Sequence, residues 1–145
     1  MRNHVRFRSE QFAPQHQEPD QVNEERYGYA LATWVAARLQ ERGVTVDAPE
    51  PEDWGWMLGA VHGGRGVCFN CGNIDGSISE WLVWIEGRRP GFLSQLLGRE
   101  APAGVITDLA GMLDAALRMN PSVGEIEWFR VGARGDEFDH AETPR

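Results

Sequence analysis

The residues best suited by type to chemistry are two cysteines, four histidines and a group of carboxylates gathered near the middle of the chain. Cys68-Phe69-Asn70-Cys71 has the spacing of half a zinc site. Tetrahedral zinc needs four ligands, and the sequence offers neither a second cysteine pair nor a His-x₃₋₅-His pair. On an extended strand, residues three apart point to opposite faces, whereas redox pairs sit at helix N-termini where the thiolate is stabilised. The pair therefore reads as two small buried thiols near a turn, with no metal site and no cofactor.

His4, His16, His62 and His140 lie far apart, and no Ser-His-Asp or Cys-His signature accompanies them. His62 is flanked by ordered elements, and a grouping with Cys68 or Cys71 and Asp75 is the one catalytic arrangement to test against the fold. Gly72 to Ser77 matches neither the dinucleotide fingerprint nor a Walker loop and reads as a turn. Glu52, Asp53, Asp75, Glu80 and Glu86 gather around the central strands, but their spacing matches no acid/base pair or EF-hand. They read as solvated rim charges, and no residue receives a catalytic role.

The aromatic content is more informative. Of six tryptophans, five (Trp54, Trp56, Trp81, Trp84 and Trp128) fall on expected strands. Alternation places Trp54 and Trp56 on one face and sends Trp81 and Trp84 to opposite faces of one strand. If helices cover a single sheet face, some indoles project onto the other, where Glu52, Asp53, Asp75, Glu80 and Glu86 would surround them. An apolar centre with a charged rim is the anatomy of a protein-binding patch. The alternative is a Trp-rich core whose second face is closed by loops or by a homodimer partner.

The elements that must position these residues follow from periodicity. His4 to Arg8 alternates like a half-buried strand, an edge strand by its charges. Asn23 as N-cap, the apolar spacing of Tyr27, Leu31, Trp34, Val35 and Leu39, and Gly43 as stop predict a helix over 24–42. Val44 to Val46 is a short strand, and the proline-rich 47–53 is a connection. Strands follow over 54–61 and 65–71, joined at Gly63-Gly64, and over 79–86, a continuous apolar run with both faces covered. Phe92, Leu93, Leu96 and Leu97 suggest a short helix. A second long helix starts near Pro102 and stops at Asn120-Pro121, a strand spans 125–131, and 132–145 reads as an unordered tail. The outcome is a single α+β domain over 1–131, a largely antiparallel sheet of five to six strands with two main helices on one face.

Composition narrows the function classes. The 145 residues carry a formal charge of -8, from 22 acidic and 14 basic side chains, and every basic one is arginine. That balance disfavours direct binding to nucleic acid and suits a basic protein partner. Mean hydropathy is -0.44, no apolar stretch is long enough to span lipid, and Met1 to Phe12 lacks the pattern of a signal peptide. A cytoplasmic protein with free thiols is the expectation.

Asp53-Trp54-Gly55-Trp56, together with Tyr27-Gly28-Tyr29-Ala30-Leu31-Ala32, resembles small acidic bacterial immunity proteins of polymorphic toxin systems. The resemblance spans Tyr27 to Trp128, rests on general character, and transfers no functional residue. It implies an inhibitor that blocks a toxin or effector enzyme by binding it. A phage-encoded inhibitor of a host defence nuclease would need the same surface. From another class comes a small enzyme or small-molecule binder, with a pocket at the hairpin loops built on Trp54, Trp56, His62 and Asp75.

Overall fold

The computed structural model describes residues 2–14, 26–87, 102–131 and 138–140. In chain order the elements are β1 (His4–Arg8), α1 (Tyr29–Gln40), β2 (Thr45–Val46), β3 (Glu50–Glu52), β4 (Gly55–His62), β5 (Arg65–Asn73), β6 (Glu80–Glu86), α2 (Ala103–Met119), β7 (Gly124–Val131) and β8 (Phe138–His140). The strands form one sheet in the order β2-β4-β5-β6-β1-β7-β8, with β3 also on the outer edge of β4. Every pairing is antiparallel. The fold is α+β, as the element order implies; the strands beyond six are β3 and β8.

Both helices pack on one sheet face. α1 buries Leu31, Ala32, Val35 and Leu39, and α2 buries Ile106, Leu109, Ala110, Leu113 and Leu117. They meet Val5 and Phe7 of β1, Leu58 of β4, Phe69 of β5, and Val83 and Ile85 of β6 in a single core. Each of the valine, leucine, isoleucine and phenylalanine side chains among them contributes about 1.5–3 kcal/mol when fully buried. α1 ends as expected: Gly43 has φ 86, its N–H reaches the Gln40 carbonyl, and the Val44 N–H reaches Leu39. No helix among the described residues is long and apolar enough to cross a membrane.

Several elements differ from the sequence reading. β1 is not an edge strand but lies between β6 and β7. Its exposed Arg6 and Arg8 are accommodated there because both neighbours supply carboxylates: Arg6 pairs with Glu127 at 2.9 Å, and Arg8 with Glu80 at 2.9 Å and Glu125 at 3.4 Å. α1 begins at Tyr29 rather than residue 24, because Gly28 has φ 150 and the Tyr27 N–H is held by Asn73 Oδ1 at 3.0 Å; Asn23 lies outside the described residues. Within the proline-rich connection, β3 pairs with β4, since Pro51 is tolerated at a sheet edge. β6 alternates buried and half-buried residues instead of being covered on both faces. Trp34 is half-buried, packed on Phe12 with the Arg38 guanidinium 5.7 Å from its ring centre. In the expected tail, Phe138–His140 pairs with β7; the rest of 132–145 and the short helix around Phe92 to Leu97 lie outside the described residues.

Candidate protein-binding face

The β3–β4 hairpin turns on two residues, Asp53 and Trp54, since Glu52 and Gly55 are paired. Its geometry depends on a close approach of three backbone segments. A Cβ on Gly55, which has φ 149, would stand 2.4 Å from the Cys71 carbonyl oxygen, and one on Gly28 would stand 2.6 Å from the same atom. A Cβ on Gly72 would meet the Trp54 carbonyl oxygen at 2.7 Å. Side chains at these positions would force the segments apart. The knot seats the start of α1 against the hairpin, with the Tyr29 ring edge-on to Trp56 at 4.8 Å.

This knot overturns the expectation that Trp54 and Trp56 share a face. Alternation holds only along regular strand, and it is broken by the turn and by the φ of Gly55. Trp56 enters the core beside the helices. Trp54 instead reaches the opposite face, where its ring lies 5.9 Å from that of Trp84 at 49°. Trp84 in turn faces His4 at 6.2 Å with the rings nearly parallel, and His4 meets Phe129 at 5.4 Å. Pairing explains the order, because Met57, Asn70, Trp84, His4 and Phe129 form one row across β4, β5, β6, β1 and β7.

Trp81 and Trp84 do point to opposite faces, but Trp81, like Trp56, drops out of the binding surface. Trp81 is 0% and Trp128 1% exposed, and both indole N–H groups are satisfied internally. Trp81 Nε1 donates to the Ser9 carbonyl at 2.9 Å, and Trp128 Nε1 to Asp114 Oδ1 at 2.9 Å. Asp114 also accepts from Arg118 Nε at 3.1 Å. By contrast, Trp54 is 37% exposed and Trp84 half-buried, its Nε1 donating to Glu86 Oε1 at 3.2 Å. The aromatic part of the site is therefore Trp54 and Trp84. His4 and the buried Phe129 extend the aromatic row; the alternation of β1 held a signal for His4, but only its central placement brings the two together.

The rim carboxylates divide into two sets. Glu80 is engaged by Arg8, and Asp75 sits with φ 49 in the turn after β5. On the other side Glu52 and Asp53 belong to the hairpin, joined by Glu50, which sequence reasoning did not single out. Glu50 pairs with Met57 and so shares the face of Trp84. Among the described residues, Glu50 and Glu52 have no ion-pair partner. Their fields and that of Glu86 converge on Cys68, whose thiol is pushed up to about 12, first by burial and then by Glu86. Cys71 is raised too, chiefly by burial. Both thiols are buried and free, on opposite faces as the spacing implies, and protonation at neutral pH makes both poor nucleophiles.

The catalytic grouping does not assemble. His62 pairs with Arg65 at one end of β4 and β5, while Asp75 and Trp54 lie at the other. About seven residues of strand, roughly 23 Å, separate them. The hairpin-loop pocket of Trp54, Trp56, His62 and Asp75 fails for the same reason, and Trp56 is in the core.

The chain matches no family model, curated protein or solved structure. The functional reading therefore rests on the face itself. Among the described residues no three His, Cys, Asp or Glu side chains are grouped to hold a metal ion. Much of this face is closed, with Met57, Cys68, Asn70 and Phe129 buried; what stays partly open is Trp54 and Trp84, near Glu50 and Glu52, which have no ion-pair partner among the described residues.

Proposed function

We propose that this chain is a protein-binding inhibitor of the immunity or antitoxin type, which blocks a toxin or effector enzyme with a basic surface. The observation that carries the reading is Trp54: partly open, backed by Trp84, fixed by a backbone knot that only glycines permit, and accompanied by Glu50 and Glu52. A rigid aromatic at the centre of a desolvating patch is the usual hot spot of an interface. Acidic neighbours accelerate encounter with a basic partner. The reading places the protein in the cytoplasm, where such an inhibitor meets its target, without nucleic-acid contact of its own.

The test is capture from the native host with wild type and Trp54→Ala in parallel, followed by assay of the captured enzyme. Stoichiometric inhibition by wild type, weakened about thirtyfold or more by Trp54→Ala, corresponds to a hot spot of about 2 kcal/mol. Equal inhibition by the variant removes this face from the function. A homodimer closing the same face would appear as a doubled mass lost in Trp54→Ala.

A further inference from the structure

Resting on that reading, and going further into the partner's chemistry, we infer that the hairpin face takes an arginine side chain. The guanidinium lies flat on the open side of Trp54, with Glu52 and then Glu50 accepting its N–H groups. Three observations lead there. First, the Trp54 ring packs against Trp84, and Glu86 fixes Trp84 through its indole N–H. The contact is tilted at 49°, and Trp54 remains 37% exposed. An indole face attracts a cation through its quadrupole, most strongly among the aromatic side chains.

Second, the carboxylates beside it differ from those on the same sheet face at β1 and β7. There Arg6 and Arg8 already neutralise Glu127, Glu80 and Glu125. Glu50 and Glu52 have no such cation among the described residues, so the hairpin is the part of the face where a foreign cation gains most. Third, the geometry selects guanidinium over ammonium. A planar, weakly hydrated fork can stack on an indole and direct its edge at a carboxylate at once. An ammonium group is a strongly hydrated point charge, and it forfeits one of the two contacts. The chain shows the same combination within itself, where the Arg38 guanidinium lies over Trp34 while Nη2 donates to Glu41 at 2.7 Å.

The probe is a pair of blocked peptides, tetra-arginine amide and tetra-lysine amide, titrated into the full chain while the indole N–H resonances are followed by NMR. Tetra-arginine should move the Trp54 and Trp84 signals and leave those of Trp81 and Trp128 in place. Tetra-lysine should bind at least about tenfold more weakly, a difference of about 1.4 kcal/mol. Trp54→Ala should abolish the saturable shift, and Glu52→Gln should weaken it while leaving the spectrum folded. Equal affinity for the two peptides, or saturation unchanged in Trp54→Ala, overturns the inference. The two levels fail separately: a captured enzyme inhibited through Trp54 but indifferent to Arg→Lys changes sinks the arginine and spares the interface. Arginine peptide binding with no inhibited enzyme does the reverse.

Discussion

The two faces of the sheet use the same residue for opposite purposes. On the helix side, Trp81 and Trp128 are closed in, and their N–H groups are matched to a backbone carbonyl and to Asp114. On the other side, Trp54 and Trp84 lean on each other and stay partly open. The difference lies less in the tryptophans than in what the neighbouring strands provide. The helix side closes over its indoles with packed helices, whereas at the hairpin Gly72 lets the Trp54 backbone approach closely and Glu50 and Glu52 share the far face. An indole is structural where helices and strands close over its ring, as at Trp81 and Trp128, and available where the local backbone holds it partly outside, as at Trp54.

The strongest way to break this comparison is Trp81→Ala. Removing a fully buried indole and orphaning the Ser9 carbonyl should cost about 3–5 kcal/mol in denaturant unfolding; a loss near that of a surface change would mean the two faces are misassigned. Next comes Gly55→Ala, whose Cβ would stand 2.4 Å from a backbone oxygen at φ 149. A cost of about 2–3 kcal/mol is expected, with Trp54 displaced and partner binding lost along with it.

A smaller effect tests the aromatic row. Burial lowers the pKa of His4 from 6.5 to about 4. Above the upper value His4 is neutral both folded and unfolded; between the two values the unfolded chain binds a proton that the folded chain resists. Stability therefore falls as pH falls through that window, by about 1 kcal/mol once partial exposure is allowed for. Thermal unfolding of His4→Phe against wild type from pH 7 to 4 should isolate this loss, and parallel curves would contradict it. Smallest is Arg6→Gln, which removes an exposed ion pair with Glu127 and should change stability by about 0.2–1 kcal/mol, less at high salt.

Strand periodicity made β4, β5, β6 and β7 legible, and the capping of α1 by Gly43 was visible in the chain. The class and the packing of both helices on one face followed from them, but not the burial of Met57, Cys68, Asn70 and Phe129 on the other. What could not be read were the features set by distant partners. The charges of β1 suggested an edge until Glu80 and Glu127 were found beside them, some 72 and 121 residues away. Pro51 hid β3, because proline excludes a central strand but not an edge. For the candidate site, Glu52 and Trp84 were singled out in the sequence but Glu50 was not, and Trp56 and Trp81 were not separable from Trp54 by alternation. The turn at Asp53-Trp54 resets the pleat, and nothing local announces that Gly28 and Gly55 converge on the Cys71 carbonyl while Gly72 meets that of Trp54.

The central position of β1 also sets a timetable for folding. β1 pairs with β6, some 72 to 80 residues later, and with β7, more than 110 residues later. The β4–β5–β6 meander can form as it emerges, but the gap between β6 and β7 stays open until both walls exist and the waiting segment docks between them. Such non-local closure is slow and leaves unpaired strand edges exposed meanwhile. Refolding should therefore be limited by docking of this segment, and a chain lacking residues 2–8 should keep the meander yet expose two facing edges ready to pair with a neighbouring molecule.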